Sequence, residues 1–310
     1  MAWLEITVNT APQTIEDVAS RLTAGGFSDL LIEDQQEFSD FLDQNRAYWD
    51  YIDEELEQKL QGLSRIKLYL EDTDKTGLSR LEALLDTMGL KPQIEAMPET
   101  DWETSWQDNY PPQPAGKTLV VLPCWLSDAD TQGRKPIILD PGLTFGTGAH
   151  PSTQMVLEAM EDTVKEGAAT LDLGSGSGIL SIAALRLGAK LAVGVDIDPK
   201  AEDIARENAA YNGFGAPEFT ALTGNVLSDR KLMDKLQAQV WDLVLVNIVA
   251  DVIISLAPVL PQFLSTGSRL LLSGILDTRL GDVTDALERA GLSIFKIRAK
   301  EEWRSIEVML

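Results

Sequence analysis

The chain has 310 residues, a formal net charge of −23 and a single cysteine, Cys124. This length allows two domains of ordinary size. One cysteine and one histidine exclude an internal disulfide and argue against a transition-metal site, so no metal is expected. The acidic balance disfavours direct nucleic-acid binding and favours a basic protein partner. Neither a secretion signal nor an apolar run of membrane-spanning length is visible, so we expect a cytoplasmic protein with no membrane contact.

Residues 1–98 predict a small α+β domain. Apolar and polar residues alternate over 3–8 and 65–70, which is typical of half-buried strands. Each of these stretches is followed by apolar residues at helical spacing. Further short strands are predicted at 29–33 and 93–97. The resulting order, βαβ followed by βαβ, favours a ferredoxin-like fold.

Two segments around this domain leave alternatives open. The acidic run 33–57 either attracts a basic substrate or forms a solvated loop. The predicted connector, 99–116, places Trp102, Trp106 and Tyr110 on one face of a helix. These aromatic side chains either dock the connector onto a domain or contact a substrate.

Residues 117–310 form the second predicted domain, in which strand-like runs alternate with amphipathic helices. Such alternation predicts an α/β fold with a doubly wound, mostly parallel sheet. The predicted strands span 169–173, 191–196, 218–223, 240–247 and 268–273.

A glycine-rich turn, Asp172-Leu-Gly-Ser-Gly-Ser-Gly178, follows the first strand of that sheet and opens a helix. Glycine lets a ligand approach the backbone closely, and a helix N-terminus offers free N–H groups. Asp196 ends the next strand, where an acid hydrogen-bonds the ribose hydroxyls of an adenosine. Together the turn and the acid predict a cofactor that contains adenosine.

The spacing of the glycines selects among such cofactors. A dinucleotide fingerprint requires Gly or Ala at position 179, which is Ile179 here. The observed form, with Asp172 two residues before the first glycine, resembles the first motif of class I methyltransferases. Their cofactor is S-adenosylmethionine. An NAD-dependent oxidoreductase remains the alternative.

Asn247 ends the fourth predicted strand, at the sheet edge where α/β proteins bind their ligands. Its side-chain oxygen is suited to accept a hydrogen bond from a substrate amine. Equally, Asn is a common N-cap of a following helix. The sequence does not decide between these two roles.

A second glycine-rich loop, 140–153, precedes a helix predicted at 154–164. Three glycines beside Phe145 suggest a loop that folds over a ligand. Ser152 or Thr153 is a candidate N-cap of the helix. His150 is suited either to general-base catalysis or to a structural role, and both stay open.

Four segments together resemble the PrmA-type methyltransferases, which modify ribosomal protein L11 of the large subunit. They are Phe145–Thr153, Asp172–Gly178, Val195–Pro199 and Asn247–Ala250. The resemblance implies a class I methyltransferase domain, and an N-terminal domain that recognises L11 on a flexible connector. It also implies transfer of methyl groups to lysine or α-amino nitrogens of L11, either free or on the large subunit. A methyltransferase of another protein or of RNA is the second alternative.

This resemblance and the turn define the candidate site. Asn247 is the candidate catalytic residue, which orients the substrate amine. The candidate cofactor-binding residues are Phe145, Thr153, Asp172, Gly174, Gly176, Gly178, Asp196 and Asn247. The loop departs mildly from the family pattern, with Ala149 and Ser152 where threonine is commoner.

Overall fold

A computed structural model describes residues 3–27, 29–34, 64–97, 110–141 and 148–309. The chain divides into two compact units between Asn109 and Tyr110. The acidic run 33–57 lies almost wholly outside the described residues, as do Trp102 and Trp106 of the predicted connector. Within the described ranges, no helix is long and apolar enough to cross a membrane.

In its described residues, the N-terminal unit forms a four-stranded antiparallel sheet with two helices. The strands lie in the order β2-β3-β1-β4, which with the chain order βαββαβ confirms the predicted ferredoxin-like fold. Its elements are β1 (Trp3–Asn9), α1 (Ile15–Ala24), β2 (Leu31–Asp34), β3 (Ser64–Glu71), α2 (Lys75–Thr87) and β4 (Pro92–Met97).

Alternation along the strands separates the two faces of this sheet. Ile6, Ile66 and Leu68 point to the face that α1 and α2 cover, and each is at most 2% exposed. On the opposite face, Lys67 forms an ion pair with Glu5, with 3.3 Å between Nζ and Oε1. Among the described residues, the sheet face opposite the helices therefore carries paired charges rather than an apolar core.

The C-terminal unit contains a small sheet that was not predicted and a large one that was. The small sheet has the order β5-β6-β7, and the large one β10-β9-β8-β11-β12-β14-β13. Strands β8, β9, β10, β11 and β12 of the large sheet run parallel to one another. Strand β14 pairs antiparallel with both of its neighbours, β12 and β13. The strands are β5 (Gln113–Ala115), β6 (Leu119–Pro123), β7 (Lys135–Leu139), β8 (Ala169–Leu173), β9 (Leu191–Asp196), β10 (Phe219–Thr223), β11 (Leu243–Asn247), β12 (Arg269–Leu276), β13 (Ile294–Lys300) and β14 (Trp303–Met309).

Helices cover both faces of the large sheet, which confirms the predicted doubly wound architecture. Residues of α3, α4 and α5 share one apolar cluster with Leu245 of β11, and residues of α6, α7 and α8 share the other with its neighbour Val244. Both strand residues are fully buried. The helices are α3 (Pro151–Thr163), α4 (Ile179–Leu187), α5 (Pro199–Tyr211), α6 (Arg230–Gln237), α7 (Ala250–Leu256) and α8 (Leu280–Arg289).

One predicted strand begins too early. The prediction started it at Val240, whereas β11 begins at Leu243 and Val240 is 66% exposed. Trp241 is buried, and its indole Nε1 donates a hydrogen bond to the carbonyl of Leu236 at 2.8 Å. The apolar run thus begins before the strand does, because Trp241 packs against the sheet from the loop that precedes β11.

Candidate active site

The glycine turn connects β8 to α4, as the sequence predicts. Gly174, Gly176 and Gly178 all have positive φ, at 77°, 48° and 78°. Only glycine adopts this region without a steric cost. The N–H groups of Gly174 and Ser175 donate to the carbonyl of Val195 at 2.8 and 3.1 Å. These bonds hold the turn against the end of β9.

Asp196 is built into that turn. Its Oδ2 accepts a hydrogen bond from Gly176 N at 2.9 Å, and its Oδ1 accepts one from Asp198 N at 3.0 Å. The side chain is partly buried and faces the turn. A carboxylate has about four lone-pair sites, so both oxygens keep capacity for the two hydroxyls of a ribose. The acid and the glycines therefore form one site.

Asp172 lies beneath the turn and is fully buried. Its Oδ2 accepts hydrogen bonds from the hydroxyl and amide of Ser181, at 2.8 and 3.2 Å. Within the described part of the chain, its Oδ1 has no hydrogen-bond partner. Burial raises the pKa of Asp172 to about 7, against the opposing effect of the Ser181 bonds, and the charge of Asp196 adds to the rise. A buried carboxyl with an unpaired oxygen fits a cationic ligand above it.

Asn247 and Thr153 meet at the neighbouring strand ends. The amide Nδ2 of Asn247 donates to the hydroxyl of Thr153 at 3.1 Å, and Thr153 is 2% exposed. Helix α7 instead begins after Val249, without a side-chain cap. The N-cap alternative for Asn247 is therefore wrong. The bond to Thr153 uses one N–H of the Asn247 amide, so the amide oxygen is the group of this side chain that can accept a hydrogen bond.

His150, rather than Ser152 or Thr153, is the N-cap of α3. The predicted helix therefore starts three residues late, since α3 begins at Pro151. The ring Nδ1 of His150 accepts a hydrogen bond from Ser152 N at 3.2 Å, and the ring packs edge-on against Trp303 with centroids 4.6 Å apart. Burial lowers the pKa of His150, against the charges of Glu302 and Glu301.

The Nδ1 atom of His150 also lies 2.7 Å from the hydroxyl of Ser152. Both contacts hold this ring nitrogen against the first turn of α3, where it accepts from Ser152 N. The structural role is the one that the geometry favours.

Sequence reasoning missed Ser273 and Gly274 in β12. The hydroxyl of Ser273 donates to the carbonyl of Ser152 at 3.0 Å, and its own carbonyl accepts from Ile248 N at 3.2 Å. Gly274 has φ +81°, and a Cβ there would lie 2.5 Å from the carbonyl oxygen of Ile248. The ladder with β14 shifts register at this point. A glycine inside a strand is the available signal, because it often marks a close approach of backbone.

Phe145, the remaining candidate, lies outside the described residues. The structure thus gathers the other seven candidates at the C-terminal ends of β8, β9 and β11 and at the start of α3. Across the described ranges, no group of three His, Cys, Asp or Glu side chains is placed to hold a metal ion.

Known proteins resemble this chain over nearly all of its length. The family model for ribosomal protein L11 methyltransferase (PrmA) matches residues 2–309. Ribosomal protein L11 methyltransferase of Heliobacterium modesticaldum is 35% identical over 316 residues, covering 99% of this chain and 96% of the relative. Its counterpart from Pelotomaculum thermopropionicum is also 35% identical, covering 100% and 99%.

A solved structure, ribosomal protein L11 methylase from Lactobacillus delbrueckii subsp. bulgaricus, superposes with a TM-score of 0.58. It is 29% identical and covers 64% of this chain and 98% of its own. The family model spans far more than half of the chain, and the two curated relatives exceed 30% identity over almost all of it. The chain therefore belongs to the ribosomal protein L11 methyltransferase (PrmA) family.

Proposed function

We propose that this chain transfers methyl groups from S-adenosylmethionine to amine nitrogens of ribosomal protein L11. Family membership supports the substrate and the cofactor. The observation that carries the chemistry is the Asn247–Thr153 hydrogen bond, which restrains the Asn247 amide at a strand end next to the one that leads into the glycine turn. The cofactor supplies a methyl group on a positively charged sulfur.

The residues of the turn divide the work of binding. Asp196 holds the ribose hydroxyls while it keeps its bond to Gly176 N. Gly174 and Gly178 allow the turn to pack closely against its neighbours, because an added Cβ would collide with the side chain of Ile248 at Gly174 and lie 3.0 Å from Cβ of Ala205 at Gly178. The carboxyl of Asp172 stabilises positive charge on the cofactor. Thr153 positions Asn247. Phe145 stays a cofactor-binding candidate on the family resemblance of its sequence motif.

Asn247 orients the substrate amine by accepting a hydrogen bond from its N–H. Only a neutral amine has the lone pair that the reaction needs. A lysine with pKa about 10.4 must lose a proton at a cost of about 4–5 kcal/mol at pH 7, and an α-amino group costs about 1 kcal/mol. Burial in the site lowers the pKa of either amine. Alignment of the reacting atoms lowers the barrier by roughly 7–11 kcal/mol, so no dedicated base is required.

We propose a division of the chain into an N-terminal domain (1–98), a connector (99–116) and a methyltransferase domain (117–310). We assign recognition of L11 to the N-terminal domain. The sheet face opposite its helices carries exposed Trp3 and Tyr69 around the Lys67–Glu5 ion pair. Aromatic side chains among mixed charges suit a protein surface. Substituting Tyr69→Ala should raise KM for L11 and leave cofactor affinity unchanged.

We further propose that the enzyme acts in the cytoplasm on L11 and makes no direct contact with nucleic acid. The supporting observation is the net charge of −23, which repels a phosphate backbone. This predicts that free L11 is methylated at least as fast as L11 within large subunits. A strong preference for assembled subunits would contradict it.

The test uses S-adenosylmethionine labelled in its methyl group. Purified enzyme is mixed with free L11, with large subunits or with ribosomal RNA, and the modified nitrogens are found by mass spectrometry. We expect label on lysine or α-amino nitrogens of L11, and its loss with Asn247→Ala. If calorimetry shows bound cofactor but no label enters L11, the substrate assignment is wrong. Label in ribosomal RNA would favour the alternative that the chain is a methyltransferase of RNA.

A further inference from the structure

Two asparagines on α5 and directly after it form a buried polar network that the proposed chemistry does not use. Asn208 is 0% exposed and Asn212 is 6% exposed. A buried carboxamide is costly unless both its donor and its acceptor are satisfied. The hydrogen-bond partners of the two side chains therefore show which segments each asparagine connects.

Asn208 joins two segments that are distant in sequence. Its Nδ2 donates to the carbonyl of Ser177 in the glycine turn at 2.9 Å, and its Oδ1 accepts from Asp140 N at 2.9 Å. Asp140 directly follows β7 and begins the loop that leads to His150 and α3. One side chain thus spans the cofactor turn and the root of the second loop.

Asn212 makes the same kinds of bond without touching the turn. Its Oδ1 accepts from Ile138 N at 2.9 Å, and its Nδ2 donates to the carbonyls of Ile138 and Asn208, both at 2.7 Å. Its carbonyl accepts from Arg186 at 3.1 Å. Asn212 therefore ties α5 to β7, and only Asn208 reaches the cofactor turn.

The bond to Ser177 acts on the part of the turn that holds Asp196. Ser177 follows Gly176, whose N–H donates to Asp196 Oδ2 at 2.9 Å. A shift of the Ser177 peptide would therefore move the N–H that orients the ribose-binding carboxylate. Gly178 leaves little room for such a shift to be absorbed, since a Cβ there would lie 3.0 Å from Cβ of Ala205.

We infer that Asn208 is a positioning residue, which locks the cofactor turn to Asp140 and so couples cofactor binding to the root of the second loop. The inference rests on the proposed use of the turn for S-adenosylmethionine. Asparagine suits the position because it supplies a donor and an acceptor on one short side chain. Aspartate keeps the acceptor for Asp140 N but has no donor for Ser177, and serine is too short for both.

The test compares Asn208→Asp with the matched control Asn212→Asp in the full-length protein. Asn208→Asp removes one donated hydrogen bond from the buried network and Asn212→Asp removes two, so both should lower the midpoint of thermal unfolding. We expect Asn208→Asp to raise the Kd for S-adenosylmethionine, measured by calorimetry, about tenfold, as for a lost hydrogen bond. Asn212→Asp should leave Kd within about twofold. Equal changes in Kd would overturn the inference.

A second variant, Asn208→Ser, guards against misfolding of the aspartate variant and tests the coupling directly. Hydrogen exchange reports on the Asp140 amide. In the natural protein, added S-adenosylmethionine should slow that exchange at least about threefold beyond any global stabilisation. In Asn208→Ser the additional slowing should vanish. If it persists, the coupling does not run through Asn208. If the natural protein binds no S-adenosylmethionine, the proposed function fails first.

Discussion

The two ends of the site are built in different ways. At the cofactor end, the glycine turn and Asp196 are joined mainly by backbone N–H groups from residues close in sequence. At the amine end, Asn247 depends on Thr153, 94 positions away, and Ser152 on Ser273, 121 positions away. The first end is encoded by a local motif, whereas the second exists only after the sheet has formed.

The largest effect should come from the cofactor end. Asp196→Ala removes the carboxylate that accepts from Gly176 N and the predicted ribose hydroxyls. Charged hydrogen bonds contribute about 1.5–3 kcal/mol each, so affinity for S-adenosylmethionine should fall at least about 100-fold. Calorimetry measures this directly. The matched control is Asp198→Ala, which loses only the cap on Lys200 N. If Asp196→Ala bound S-adenosylmethionine with unchanged affinity, Asp196 would not be the residue that binds the ribose hydroxyls.

A smaller effect, on kcat rather than on cofactor affinity, should come from the amine end. Gly274→Ala places a Cβ against the carbonyl of Ile248, which must move, and Asn247 moves with it. Displacing a reacting group by about 1 Å costs about 100-fold in rate. We expect kcat to fall by about that factor while the Kd for the cofactor changes little. Gly291→Ala, also at positive φ but with open space around it, controls for backbone strain.

These two variants sharpen the contrast between the ends. If Gly274→Ala weakened cofactor binding as much as Asp196→Ala, the two ends would be one unit. If Gly274→Ala left kcat unchanged, the placement of Asn247 would not limit the reaction.

The same contrast explains what the sequence could predict. Strands β8 and β9, the turn and Asp196 were predicted because their signals are periodicity and glycine spacing within a short stretch. The role of Asn247 stayed open because its hydrogen-bond partner, Thr153, is distant in sequence and is brought close only by the tertiary structure. The small sheet β5-β6-β7 was missed, since its strands are not separated by α-helices and so give no repeating βα pattern.

Asp172 predicts a pH dependence at the cofactor end. The ionised carboxyl should bind the cationic cofactor better than the protonated one. With the pKa of Asp172 at about 7 in the free protein, the ionised fraction rises about tenfold from pH 6 to pH 8. Affinity should therefore rise with pH, by up to about tenfold over that range. In Asp172→Asn the calorimetric profile should be flat, and a flat profile in the natural protein would contradict the assignment.

The smallest effect is expected at His150, whose cap belongs to the amine end. His150→Ala should lower the free energy of unfolding by about 1 kcal/mol because Ser152 N loses its acceptor. Asparagine supplies an acceptor at the same position, so His150→Asn should lose less. Urea unfolding measures both variants.

The pH dependence of stability separates this cap from catalysis. Since burial lowers the folded-state pKa of His150, the unfolded chain binds the proton more tightly. The contribution of His150 to stability is then complete above about pH 6.5 and declines as the pH falls below that value. His150→Asn should lack this decline and keep kcat within about threefold, since no proton transfer is lost. A fall in kcat of about 100-fold, with the fold intact, would instead make His150 an acid–base residue and place proton transfer at the amine end.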